Sequence, residues 1–155
     1  MLQEQDVVST IRTLTSRMQR TSGGRTHSIL IVDDEETVRL FVQRVLQEAG
    51  YETAIASDGP DAIEVASKMP ALDLLITDVV MPQMTGNELA RRVRQTELDV
   101  KVLYLTGFSD RLFTEKVTLW ADEAFLEKPC SVRGLQQAVS LLLFGKFDVP
   151  VERII

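Results

Sequence analysis

The sequence predicts an α/β fold: a parallel sheet of five strands with helices covering both faces. Three observations predict it. From Ser28 onward, short β-rich apolar runs alternate with segments of helical period, giving five βα units. The runs are nearly continuous in apolar residues, as buried strands of a parallel sheet are. The 155 residues fit one compact domain plus short extensions, and no internal repeat or low-complexity tract interrupts them.

Each element has its own warrant. Ile29-Leu30-Ile31-Val32 reads as the first strand, and Val38, Phe41, Val42, Val45 and Leu46 trace a helix face that stops at Gly50. Tyr51 to Ala56 is the second strand. Asp58-Gly59-Pro60 then opens a helix with proline in its tolerated first turn. Leu72 to Thr77 is the third strand, Gly86 to Arg94 a helix, Val100 to Thr106 the fourth strand, Ser109 to Leu119 a helix and Ala124 to Glu127 the fifth strand. Ser131 caps a last helix carrying Val132, Leu135, Val139 and Leu142, which ends near Gly145.

The domain therefore spans 28–145, preceded by an extension and linker over 1–27 and followed by a tail over 146–155. In the extension, Arg12, Arg17, Arg20 and Arg25 outnumber Glu4 and Asp6, unlike the acidic remainder. Val7, Val8, Ile11, Leu14 and Met18 recur at helical spacing, and Thr21-Ser22-Gly23-Gly24 breaks that pattern. Such a helix can pack on its own domain, or serve a partner or a second copy. The tail holds Val149, Val151, Ile154 and Ile155, and its ten residues leave no room for a fused output domain.

Composition narrows the function. With 45% hydrophobic and 26% charged residues the chain can bury a core, and its net charge of −6 is a poor match for nucleic acid. The single Cys130 permits no internal disulfide, and the lone His27 forbids a multi-histidine metal site. There is no apolar run of membrane-spanning length, and Met1 to Arg20 lacks the apolar core of a signal peptide, so a cytoplasmic protein is expected.

In an open α/β sheet, ligands bind outside the carboxyl ends of the strands. That rule selects Asp33 and Asp34 after strand one, Asp78 after strand three, Thr106 at the end of strand four and Lys128-Pro129 after strand five. Three converging carboxylates repel one another, and a hard divalent cation such as Mg²⁺ relieves that repulsion through oxygen ligation. A carboxylate can itself attack phosphorus to give an acyl phosphate, and Asp78, from the central strand, is best placed to do so. The Thr106 hydroxyl and Lys128 ammonium can then meet charge on the transferring group. No glycine-rich nucleotide loop is present.

Ile29-Leu30-Ile31-Val32-Asp33-Asp34-Glu35, Leu75-Ile76-Thr77-Asp78-Val79-Val80-Met81-Pro82 with Gly86, Leu105-Thr106-Gly107 and Lys128-Pro129 together resemble the receiver domains of two-component response regulators, over about residues 28–145. The resemblance implies a flavodoxin-like, doubly wound sheet of order 2-1-3-4-5 with five helices. It implies that Asp78 is the phosphoacceptor, that Asp34, Asp78 and the Val80 carbonyl hold Mg²⁺, and that Asp33 acts largely through metal-bound water. Thr106 and Lys128 match the phosphoryl-contacting residues, the Lys128-Pro129 peptide is expected to be cis, and Phe125 matches the family's switch aromatic, a position that also suits plain core packing.

Phosphorylation would then shift the surface of the fourth helix, fifth strand and fifth helix, which partners distinguish. The phosphodonor would be a histidine kinase or a phosphotransfer protein, the recipient a downstream protein, with a homodimer compatible and no role for nucleic acid or membrane. The chain would be a signalling phosphoacceptor, catalysing only its own phosphorylation and dephosphorylation. The pattern fits a stand-alone regulator and the receiver piece of a hybrid histidine kinase equally. Val80 and Phe108, the positions that set phosphoryl lifetime in this family, are both apolar, so slow self-hydrolysis is expected. A rival, the aspartyl-phosphate-forming phosphohydrolase, usually has an acid where Val80 stands; a phosphorylation-independent adaptor would not need all four polar elements. Trp120, near the shifting surface, suits a buried anchor better than an interface.

Overall fold

A computed structural model describes residues 26–107 and 122–145. The amino-terminal extension up to Arg25, Phe108, the helix expected over 109–119, Trp120 and the tail lie outside the described residues.

The apolar runs form five parallel strands: β1 (Ser28–Val32), β2 (Glu52–Ala56), β3 (Leu74–Asp78), β4 (Lys101–Thr106) and β5 (Glu123–Glu127). Their order is β2-β1-β3-β4-β5. β1 lies between β2 and β3, with Val32 opposite both Ala56 and Thr77. β3 and β4 align Asp78 with Leu105, and β4 and β5 align Tyr104 with Phe125 and Thr106 with Glu127. The carboxyl ends therefore form one rim.

Four helices are described. α1 (Glu36–Glu48) turns Val42, Val45 and Leu46 inward; past its end Gly50 adopts φ 97°, a left-handed conformation that glycine takes without strain. α2 (Gly59–Lys68) is capped by the Asp58 carboxylate, which accepts the Asp61 N–H at 2.8 Å, with proline in its first turn. α3 (Gly86–Arg94) is capped by the Thr85 hydroxyl, and Arg91, Arg92 and Arg94 complement the dipole at its carboxyl end. α4 (Val132–Phe144) is capped by Ser131 at 2.9 Å and stops at Gly145, in the left-handed region.

Strand alternation divides the core in two. Ile29, Ile31, Leu74, Ile76, Leu103 and Leu105 pack with Val42, Val45 and Leu46 of α1 and Leu135 and Val139 of α4. Leu30, Val32, Leu75, Val102 and Tyr104 pack with Ala62 of α2 and Leu89, Ala90 and Val93 of α3. The parallel, doubly covered sheet is the predicted one.

Boundaries differ in an informative way. β3 begins at Leu74 rather than Leu72; Asp73, just before it, bonds Ser28 twice, its N–H donating to the Ser28 carbonyl at 3.0 Å and its carboxylate accepting the Ser28 N–H at 2.8 Å. The strand then runs on through Asp78, which lies in the ladder rather than past it. β4 ends at Thr106, where the sequence places its end.

Candidate functional site

The rim gathers the acids that the sequence separates. Asp33, Asp34 and Asp78 each offer a carboxylate oxygen, and these oxygens lie within 4.8 Å of one another. Asp33 is fully buried, Asp78 nearly so, and Asp34 is exposed. Two buried anions side by side need a cation. Lys128, just past β5, supplies it: its Nζ lies 2.8 Å from Asp33 Oδ2 and 3.2 Å from Asp78 Oδ2. Burial works against the Lys128 charge, but the hydrogen bond and charge of Asp33, followed by those of Asp78, outweigh it and raise its pKa above the ordinary lysine value.

Backbone bonds fix this lysine. Its N–H donates to the Thr106 carbonyl at 2.8 Å, and the Lys128-Pro129 peptide is cis. Thr106 is itself buried and, by register, ends β4 beside the β3 terminus that carries Asp78. Cys130 follows the proline half-buried; burial pushes its thiol pKa up, as in a packing residue rather than a reactive thiolate.

On the other side, Asp33 Oδ1 accepts the Glu35 N–H at 2.9 Å, so the acid turn occupies the N–H of the cap residue before α1, whose own side chain makes no cap. The Arg39 guanidinium donates to the Asp33 carbonyl at 2.7 Å. The loop after β3 closes through a tight turn in which Met84 N–H donates to the Pro82 carbonyl at 2.8 Å and Gln83 takes φ 71°. Val80 stands on this loop with 48% of its surface exposed. Gly86, at the start of α3, touches the Asp78 backbone so closely that a Cβ there would sit 2.2 Å from the Asp78 carbonyl oxygen.

Phe125 is half-buried and stacks on Tyr104, centroids 4.9 Å apart and planes 23° from parallel, on the sheet face that Thr106 shares by strand alternation. Tyr104 Oη lies 3.5 Å from Glu123 Oε1, and Glu123 pairs with Arg94, which also donates to the Val100 carbonyl. Burial, then the Glu123 charge, raise the Tyr104 pKa far above that of an ordinary phenol, against the lowering by Arg94.

Asp33, Asp34, Asp78 and Lys128 are thus brought within reach of one another, and Thr106 closes the same rim. Arg39, Gly86 and the Arg94–Glu123 pair escaped the sequence reading of the site. Gly86 was visible only as part of the resemblance, while the two arginines carry no signal beyond an ordinary helix position.

The donor set can be tested against a metal ion. Three carboxylates face one ammonium, so the pocket keeps an excess of negative charge. Its donors are all oxygens, the set that a hard divalent cation takes. The residues fit such an ion.

A five-stranded 2-1-3-4-5 sheet with this acid, hydroxyl and lysine rim defines a class, and the comparisons agree with it. The response regulator receiver domain family matches residues 29–140, and the chain belongs to that family. It is 34% identical over 117 residues to the response regulator receiver protein CpdR of Brucella abortus, covering 76% of this chain and 97% of CpdR. It is 35% identical over 117 residues to the sensor kinase CckA of the same organism, covering 75% of this chain but only 12% of the kinase. Among solved structures, chemotaxis protein CheY4 of Vibrio cholerae superposes with TM-score 0.69 at 31% identity, over 77% of this chain and all of that one. The receiver domain of the hybrid histidine kinase CckA gives 0.63 at 31% identity, over 75% and 98%.

The chain is a receiver domain of two-component signalling, a phosphoacceptor rather than a conventional enzyme. Receiver domains take their phosphoryl group from histidine kinases or phosphotransfer proteins and bind Mg²⁺ at an acidic pocket. Among the described residues no helix is long and apolar enough to cross a membrane.

Proposed function

We propose that Asp78 is the phosphoacceptor, that Asp34, Asp78 and the Val80 carbonyl hold a Mg²⁺ ion with Asp33 acting largely through its water, and that Thr106 and Lys128 contact the phosphoryl group. The observation that carries this reading is the position of Lys128 Nζ between Asp33 and Asp78, with all three carboxylates gathered around one centre. An Asp78 carboxylate oxygen attacks phosphorus as the bond from phosphorus to the leaving group breaks. From acetyl phosphate, acetate departs with the electron pair; from a phosphohistidine, the imidazole nitrogen keeps the pair and takes a proton from water. When held by these residues, a Mg²⁺ ion would supply charge neutralisation for the phosphoryl oxygens.

Lys128 is already charged and desolvated on one side, so it can meet a phosphoryl oxygen with little reorganisation. The phosphoryl group adds about one to two negative charges beside Thr106. Drawing Thr106 toward it disturbs the face on which Phe125 stacks, and β5 and α4, with the segment preceding them, change their surface for a downstream protein. A mostly-off to mostly-on shift requires about 5 kcal/mol of differential stabilisation, within the range of a few charge-assisted hydrogen bonds. In this reading residues 28–145 form the receiver, 1–27 its extension and 146–155 its tail, and the chain works in the cytoplasm.

The test is Asp78→Asn treated with a radiolabelled small-molecule phosphodonor and Mg²⁺. Labelling is lost in the variant; undiminished labelling overturns the assignment.

A further inference from the structure

Asp33 is held at its side chain, its N–H and its carbonyl. β1 ends at Val32, whose pairing with Thr77 closes its ladder with β3, so the Asp33 carbonyl lies beyond the sheet. Its side chain is held twice, by the Glu35 N–H on Oδ1 and by Lys128 on Oδ2. Its own N–H donates to the Ala56 carbonyl at 3.3 Å, a long bond. Among the described residues, the donor to its carbonyl is Arg39 Nη1 at 2.7 Å, a short, charge-assisted bond.

Arg39 is a half-buried residue of α1, and its backbone N–H bonds the Glu35 carbonyl at 3.0 Å. One residue therefore clasps the acid turn at both ends, the carbonyl before Asp34 and the carbonyl after it. The turn between these anchors presents the exposed Asp34. A peptide plane that rotated at Asp33 would swing Asp34 with it.

We propose that Arg39 is a positioning residue for the acid turn, its side chain setting the orientation in which Asp33 and Asp34 receive a divalent cation. The inference rests on the assignment of these acids to Mg²⁺. Its sign is distinctive. A guanidinium acting only as a nearby positive charge would oppose a dication, and its removal would tighten binding. A guanidinium acting as a clamp does the reverse.

The experiment is Mg²⁺ titration of the full chain by calorimetry, with thermal unfolding of the metal-free protein in parallel, for wild type, Arg39→Met and Arg39→Lys. Methionine keeps the apolar stem and removes the donor; lysine restores a single charged donor. Arg39→Met should weaken Mg²⁺ binding by about tenfold, the scale of lost outer-shell partners, while Arg39→Lys recovers most of it. In acetyl phosphate labelling, Arg39→Met should raise the Mg²⁺ concentration for half-maximal rate more than it lowers the rate at saturation. Unchanged or tighter Mg²⁺ binding in a folded Arg39→Met overturns the inference, as does failure of lysine to restore affinity. Should Arg39→Met unfold, Arg39→Gln enters the same comparison under the same criteria, with partial recovery expected from its neutral donor. If the wild type binds no Mg²⁺, the site assignment itself falls, an outcome distinct from equal binding by wild type and variant.

Discussion

Gly86→Ala places a methyl group where the structure has no space for one. The new Cβ would lie 2.2 Å from the Asp78 carbonyl oxygen, 3.1 Å from its carbonyl carbon and 3.2 Å from Thr77 Cγ2. Nonbonded carbon prefers neighbours at about 3.5 Å, so the start of α3 must retreat from β3 by about an ångström. The nearest obstacle is backbone of a central strand, which no rotamer change can move. Overpacking costs about 1–3 kcal/mol where side chains can adjust, and this contact belongs at the upper end. The retreat also stretches the 2.9 Å bond from Gly86 N–H to the Val79 carbonyl, adding about 1 kcal/mol. Alanine's advantage over glycine in a helix, about 1 kcal/mol in the interior and less at a first residue, offsets only part of this. The net loss is about 3 kcal/mol, which lowers the melting temperature by about 10 °C. Circular dichroism melts measure it. Gly59→Ala is the comparison: there the Cβ meets the Met84 side chain, Sδ at 2.8 Å, which can swing away, and Cβ at 2.7 Å, which moves only with the loop backbone that carries it, for a loss of about 1–3 kcal/mol. A Gly86→Ala protein melting within about 2 °C of wild type would refute the packing argument.

Glu123→Ala leaves the half-buried Arg94 guanidinium without this carboxylate and should cost about 2–3 kcal/mol in urea unfolding; a loss below about 1 kcal/mol would show the pair to be solvated. Tyr104 gives a pH dependence. Its phenol pKa is raised in the folded protein, so above about pH 10 the native state keeps a proton that the unfolded chain releases. Its contribution is full below that pH and lost as pH rises toward the folded pKa. The urea midpoint of wild type should therefore fall more steeply than that of Tyr104→Phe between about pH 9 and 11, and parallel profiles contradict this. Val80 offers no polar group to orient an attacking water, so the acyl phosphate should persist for minutes or longer and Val80→Glu should shorten its life; decay of the wild-type phosphoform within seconds, followed by intact mass, counts against this reading.

Most of the fold was legible because parallel strands buried on both faces leave continuous apolar runs, and Ile29–Val32 and Leu74–Ile76 are unmistakable as such. The strand ends were less so. Asp78 is a polar residue that completes a ladder, and polarity alone marks it as lying past the strand. The strand order came from the resemblance, since periodicity carries no information on which strands are neighbours. The rim was legible from the placement of Asp33, Asp34, Asp78, Thr106 and Lys128 at strand ends. What spacing could not show was reach: that Lys128 bridges two acids, that Arg39 folds back on the Asp33 carbonyl, or that Arg94 crosses to Glu123. Long side chains choose partners in three dimensions, and nothing in their sequence positions records the choice. Tyr104 is a similar case, an aromatic in an apolar run whose partner Phe125 becomes visible only through the β4–β5 register.

The most direct measurement is the intact mass of the wild-type chain after incubation with acetyl phosphate, once with Mg²⁺ and once with excess chelator, with the modified site located by peptide fragmentation. A single phosphoryl group, gained only with Mg²⁺ and located on Asp78, is the expected result. Modification of any other residue, or equal modification with the metal chelated, would contradict the account.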